Sequence, residues 1–241
     1  MKYLIKISYD GKYFYGWNKQ PNLYTINQFL EDSFKKELIN VKIKASGRTD
    51  KFVHAINQVC DIEVNKKIRK KDIIKINKEL NKKIRIKKVK KVKNEFSARF
   101  DLRSKTYLYK ISNDFKKKKR KDENYYLNIF KEINLKKMNE DAKKFIGEKD
   151  FSSFTSKSNY YSYIRKINYI KIKKRRKIIY IEINGNGFLR YMIRHIVGSL
   201  IAKNFNKYNE EKFNDLFLNP KRGKNIFKVT GKALYLKNVK Y

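Results

Sequence analysis

The chain has 241 residues, is 41% hydrophobic, carries only 9 Gly, 2 Pro and one cysteine, and has a formal net charge of +39. That length suits one large domain or two small ones, and the apolar content can build a core, while so little Gly and Pro excludes long linkers and low-complexity tails. The lone Cys60 excludes an internal disulfide and a cysteine-based zinc site and fits a reducing, intracellular compartment, and the absence of an apolar run near roughly 18 residues excludes a membrane-spanning helix.

Residues 2–9 alternate apolar and polar, which predicts a strand and leaves no apolar stretch for a signal peptide. Asp10-Gly11 and Gln20-Pro21-Asn22 are turn chemistry. Thr25 can cap a helix to about Ile39, with Ile26, Phe29, Leu30, Phe34 and Leu38 at helical spacing. A strand over Ala55–Val64, a helix over Asp72–Leu80 and a strand over Ile84–Val92 follow. Thr106–Ser112 reads as a strand, and Lys116-Lys-Lys-Lys-Arg-Lys121 as an exposed loop, either solvated or touching phosphates. Leu135–Ile146 is amphipathic at helical spacing. Ile164–Ile172 and Ile178–Ile183 read as strands joined by the basic turn Lys173–Lys177. Gly185-Asn-Gly187 breaks the chain before a helix over Phe188–Phe205, then a short helix over 209–218 and a last strand, Ala233–Val239. The mixture predicts an α+β, mixed-sheet architecture rather than a doubly wound parallel sheet, with a domain boundary near residues 101–105. Neither a Gly-rich phosphate loop nor an internal repeat is present.

The charge has two readings. One is a polyanionic partner, most simply nucleic acid. The other is lysine drift, since the chain is rich in Lys, Asn and Ile. Arginine helps to separate them, because only 12 of the 62 basic residues are Arg. Where charge alone suffices, lysine replaces arginine; the arginines that remain are candidates for planar, bidentate recognition. Arg48, Arg99, Arg165, Arg190 and Arg194 are among them.

Residues 45–55, Ala-Ser-Gly-Arg-Thr-Asp-Lys-Phe-Val-His-Ala, put Asp50 beside Arg48 just after a glycine. On an extended segment the two side chains project to one side. The spacing fits an ordinary turn with a surface ion pair more readily than a carboxylate nucleophile in a cleft. Arg190 and Arg194, four apart near the start of a predicted helix, can face an anion or snorkel at the edge of a core. In Lys105-Thr-Tyr-Leu-Tyr-Lys110, Lys105, Tyr107 and Tyr109 share one face. Tyrosines among lysines can stack on bases, and a half-buried strand of a basic protein has the same pattern. His54 and His195 are far apart in sequence and read as structural.

Six blocks in order resemble the A family of tRNA pseudouridine synthases. They are Tyr9-Asp-Gly-Lys-Tyr-Phe-Tyr-Gly-Trp17 with Gln20-Pro-Asn22, and Gly47-Arg-Thr-Asp50 with Val53-His-Ala55. Phe96-Ser-Ala-Arg99 with Lys105-Thr-Tyr107 and Phe145-Ile-Gly-Glu-Lys-Asp-Phe-Ser-Ser-Phe154 follow. Gly187-Phe-Leu-Arg-Tyr-Met-Ile-Arg-His-Ile-Val-Gly198 and Leu234-Tyr-Leu-Lys-Asn-Val-Lys-Tyr241 complete the set.

The resemblance implies two similar α/β domains, 1–103 and 104–241, whose sheets join into one large sheet flanked by helices around a basic cleft. It implies an RNA isomerase that converts uridine to pseudouridine in tRNA, at positions 38 to 40 of the anticodon stem-loop. Asp50 matches the catalytic aspartate, Tyr107 the tyrosine that packs on the target base, and Arg194 the basic partner of the aspartate. Arg48 matches the arginine linked to holding the base out of its stack. No cofactor or metal is implied, because the reaction is redox-neutral and needs no energy input. The implied partners are tRNA and a second copy of the chain, in the cytoplasm and away from membranes. The chain departs from the family at Phe52, usually Gly, at Ser97, usually His, and at Ala233, near a usual Gly. Phe52 motivates an alternative from another class, a non-catalytic RNA-binding protein or RNA chaperone on the same fold.

Overall fold

The side chains of β1 (Lys2–Tyr9) alternate without exception between half-buried and buried, as the sequence pattern requires. The computed structural model of the protein describes residues 1–116, 119–156 and 159–241, which form two compact units. Residues Met1–Arg103 and Tyr235–Tyr241 make the first, and Ser104–Leu234 the second. Ten strands and five α-helices are found among the described residues, a mixed α/β architecture.

In the first unit β1 lies between β3 (His54–Val64) and β4 (Ile84–Lys91), antiparallel to both. The other edge of β3 is shared. β2 (Val41–Ala45) pairs antiparallel with its Cys60–Val64 end, and β10 (Leu234–Lys240) pairs parallel with His54 and Ala55. α1 (Ile26–Lys36) packs on β2, and α2 (Lys70–Glu79) packs on β4. The core they enclose includes Ile5, Ile7, Leu30, Phe34, Ile62 and Ile76.

In the second unit β5 (Ser104–Ser112), β9 (Ile178–Gly185), β8 (Ile164–Arg175) and β7 (Gly147–Asp150) run antiparallel in that spatial order. The short β6 (Leu127–Asn128) pairs parallel with β5. α3 (Leu135–Lys143) packs on β8 and on α4 (Met192–Asn204), and α5 (Glu210–Leu218) follows. Tyr109, Phe145, Phe154, Ile181, Ile196 and Leu200 belong to its core.

Several boundaries differ from the sequence expectation. α1 ends at Lys36 because Leu38 turns left-handed, at φ 56°. The Ile39 amide then donates to the Phe34 carbonyl and the Leu38 amide to that of Lys35, a Schellman cap with leucine where glycine is usual. α4 starts four residues after Phe188, because Tyr191 stands at its N-cap with φ 64°. α3 stops at Lys143 rather than Ile146. The β8–β9 turn is narrower than expected, since strand pairing runs through Arg175. Strands β6 and β7 are too short to leave a period-2 signal of their own, whereas β2, Val41-Lys-Ile-Lys-Ala45, does alternate apolar and polar. Of the basic run 116–121, Lys116 and residues 119–121 are exposed and outside regular structure, while Lys117 and Lys118 lie outside the described residues. None of the helices among the described residues is long and apolar enough to cross a membrane.

Candidate active site

The Asp50 loop leaves β2 after Ala45 and enters β3 at His54. Gln58, fully buried on β3, ties its start. It accepts from the Ser46 hydroxyl at 2.7 Å and donates from Nε2 to the Gly47 carbonyl at 2.7 Å. The Ser46 amide also donates to the Val59 carbonyl at 2.8 Å. At the far end the Val53 amide donates to the Asp50 carbonyl at 3.1 Å, closing a turn.

The segment between β1 and α1 braces this loop from behind. The Trp17 amide donates to the Thr49 carbonyl at 3.0 Å, and the Phe52 amide to the Phe14 carbonyl at 3.3 Å. The Tyr9 and Thr49 hydroxyls share a buried hydrogen bond of 2.8 Å. Two glycines permit the close approach. A Cβ on Gly11 would lie 2.3 Å from the Val53 carbonyl oxygen, and one on Gly16, which has φ 97°, 3.0 Å from that of Thr49. The opening block of the sequence is therefore a backbone cradle for the loop.

Within the loop Thr49 is buried, Asp50 half-buried and Arg48 exposed. The turn thus leaves Asp50 half-buried while its neighbour Thr49 is anchored beneath. Phe52 sits at φ 66°, a left-handed conformation that costs a side-chain-bearing residue about 1–2 kcal/mol. Phenylalanine adopts here the backbone a glycine would take freely. Its ring lies 6.4 Å from that of Tyr15, and the Lys51 ammonium sits 4.0 Å from the Tyr15 centroid and 4.6 Å from that of Phe52.

His54 is buried and stacks on Tyr235 at 4.6 Å. Its Nδ1 lies 3.0 Å from the Gly11 amide and 3.2 Å from Asp10 Oδ1. A bare Nδ1 accepts from the amide and a protonated one donates to the carboxylate, so one nitrogen serves one partner at a time. Asp61, also on β3, accepts from the Ala98 amide at 2.8 Å, and Tyr241 donates to the Ala98 carbonyl at 2.8 Å. Two further sequence blocks, Phe96–Arg99 and the last strand, meet at this point.

In the second unit Tyr107 is buried within β5, with its ring edge-on to Phe188 at 5.4 Å. Tyr109 is fully enclosed and donates to the Thr230 carbonyl at 3.0 Å, and burial pushes its hydroxyl pKa well up. The opposite face of β5 is filled as well. Thr106 is buried and accepts from Asn184 Nδ2 at 2.9 Å. Of the two buried tyrosines, Tyr109 is the more deeply enclosed.

The expected helical stacking of Arg190 and Arg194 is replaced by another arrangement, because Arg190 precedes α4. Both guanidinium groups meet on the ring of Tyr191, at 4.8 Å and 4.9 Å, and the Lys228 ammonium joins them at 4.8 Å. The left-handed N-cap turns Tyr191 into a shared platform. Arg194 Nε donates to the Val229 carbonyl at 2.7 Å, which fixes the guanidinium plane. Neighbouring His195 is buried, with Nδ1 3.2 Å from the Phe227 carbonyl and Nε2 3.2 Å from the Ser156 hydroxyl. Burial, with the Lys228 and Arg194 charges added, pulls its pKa down to about 4, although the Phe227 contact opposes this. Both histidines are held as structural groups. Among the described residues no three His, Cys, Asp or Glu side chains gather where a metal ion could be held.

A family model described as tRNA pseudouridine synthase matches residues 5–101 and 142–241. The chain belongs to that family. The tRNA pseudouridine synthase A of Malacoplasma penetrans is 42% identical over 98% of both chains. That of Mycoplasma genitalium is 40% identical over 100% of this chain and 98% of its own, and that of Ureaplasma parvum 39% over 100% of both. Membership in the tRNA pseudouridine synthase family makes the protein an isomerase. Arg48, Asp50 and Arg194 fall inside the matched ranges, and Tyr107 between them. Residue spacing offered the loop and the arginines as candidates but left each open to a structural reading, which the family resemblance decided. Spacing did not reveal Gly11, Gly16, Gln58 or Tyr191 as their supports, because these act through contacts with residues distant in the chain or through a φ sign that no periodicity encodes.

Proposed function

We propose that the protein isomerises uridine to pseudouridine in tRNA, at positions 38 to 40 of the anticodon stem-loop, with Asp50 as nucleophile. The observation that carries this reading is the Asp50 loop. It is tied at its start through Gln58 and braced along its length by the Tyr9–Trp17 segment. A carboxylate carried on a braced backbone has less orientational freedom to lose on reaching the transition state.

The reaction breaks the C–N glycosidic bond, turns the uracil and forms a C–C bond. The target base must leave its stack to be reached. In this reading Arg48, exposed beside the turn, occupies the vacated space, and the Tyr107 ring receives the uracil. The Arg194 guanidinium supplies the positive charge that keeps the aspartate ionised. The protein works as a homodimer in the cytoplasm, and its lysines hold tRNA phosphates, which makes affinity fall with salt.

The test uses tRNA labelled at uracil C5. The wild-type protein releases label, and Asp50→Asn lowers release on the order of a thousand-fold or more while still binding tRNA. Retained release in Asp50→Asn removes the assignment of Asp50. No release from any tRNA by the wild type favours a non-catalytic RNA binder instead.

A further inference from the structure

Phe52 holds a backbone conformation that disfavours any side chain, and the ring it places there is half-buried at the lip of the Asp50 turn. Beside it Tyr15 is 41% exposed. The Lys51 ammonium lies over both rings. The surface continues through the exposed Tyr13 and Tyr24, whose rings lie 5.5 Å and 5.2 Å from the Lys83 ammonium. The Tyr15 amide donates to the Tyr24 carbonyl at 2.8 Å, so the two ring groups share one backbone support. Exposed tyrosines alternating with ammonium groups suit a polyanion with flat, unpaired bases better than they suit a protein or a duplex.

We propose that Tyr15, Lys51 and Phe52 form a docking surface for one unpaired RNA base next to the reacting uridine. The base takes the ring faces, and the Lys51 ammonium moves from them to the phosphate of that nucleotide. An exposed cation–π contact is weak, and an ammonium–phosphate hydrogen bond is stronger, so the exchange runs toward the bound state. Phe52 is then a positioning residue. This inference rests on the tRNA reading above, and it adds the surface that holds the strand beside the reactive nucleotide.

The experiment is a cycle between protein and RNA. Wild-type protein and Phe52→Gly are titrated with an anticodon stem-loop RNA and with copies bearing an abasic site at each unpaired position in turn. Glycine takes φ 66° freely, so this variant keeps the loop. At one position the abasic change weakens wild-type binding about ten-fold, the scale of one base–aromatic stack, and weakens Phe52→Gly binding much less. Tyr15→Leu gives the same non-additivity at the same position. Lys51→Gln lowers the salt dependence of binding by about one phosphate contact. Equal abasic penalties on wild type and Phe52→Gly at every position overturn the proposal. Equal affinity for a fully paired hairpin also overturns it. Because the readout is binding, failure of the isomerase reading shows separately, as a wild-type protein that releases no C5 label while the cycle remains non-additive.

Discussion

The hydroxyl of Tyr9, at the end of the first strand, meets the hydroxyl of Thr49 at 2.8 Å, immediately before the residue proposed as nucleophile. This buried contact joins the central sheet of the first unit to the loop. Tyr9→Phe leaves the Thr49 hydroxyl without this partner. It lowers stability by about 1–3 kcal/mol, the cost of stranding a buried polar group. Turnover of C5-labelled tRNA falls further than that loss predicts, since the loop is displaced as well. Thermal unfolding and label release, measured on the same preparation, check both.

Gly16 and Gly223 both have positive φ, but a Cβ on Gly16 would press on the Thr49 carbonyl while one on Gly223 would meet nothing within 4 Å. Gly223→Ala therefore measures backbone strain alone. Gly16→Ala adds crowding against the Asp50 loop and is destabilising by about 1–3 kcal/mol beyond it. Only Gly16→Ala lowers the rate of label release under conditions where both variants are folded. Equal rates for the two variants would show that the cradle is dispensable.

Arg194 donates from Nε to the Val229 carbonyl, and its guanidinium lies over the Tyr191 ring. Lysine keeps the charge but cannot reproduce the planar guanidinium that this bond orients. Arg194→Lys lowers turnover at least about ten-fold, with only a small change in tRNA affinity. Full turnover would show that a point charge is enough.

Tyr107 is buried edge-on to Phe188, so its replacement must preserve volume to be informative. Tyr107→Phe keeps the ring, and Tyr107→Leu removes its face. If the ring receives the uracil, Tyr107→Leu loses about ten- to a hundred-fold more turnover than Tyr107→Phe. Loss of tRNA affinity in proportion to turnover contradicts the assignment.

His195 titrates near 4 in the folded protein against an ordinary value of 6.5, held down by burial and by Lys228 and Arg194. The unfolded chain therefore binds the proton first as pH falls. Stability from this group is complete above about 6.5 and is lost as pH drops toward about 4. His195→Gln flattens that part of the stability–pH curve by up to one proton, as read from denaturant midpoints across the window. An unchanged slope would mean that His195 titrates alike in both states.

Much was legible in the residues themselves. The alternation of β1 and the helical spacing of α1 record which face is buried, and that record is local. The ordered blocks carried the family, and the scarcity of arginine marked Arg190 and Arg194 before any contact was visible. What remained was decided by contacts between residues far apart in the chain. Tyr9 and Thr49 are forty positions apart, and Gly11 is chosen by the carbonyl of Val53. Phe52 reads as a disruption of its loop in sequence, yet it keeps a glycine-like φ because the turn around it is held on both sides. Arg190 and Arg194 meet not along a helix but on Tyr191, through a left-handed N-cap. Periodicity encodes exposure along one element. It carries neither the identity of a distant partner nor the sign of φ at a residue other than glycine, and those two quantities build this site.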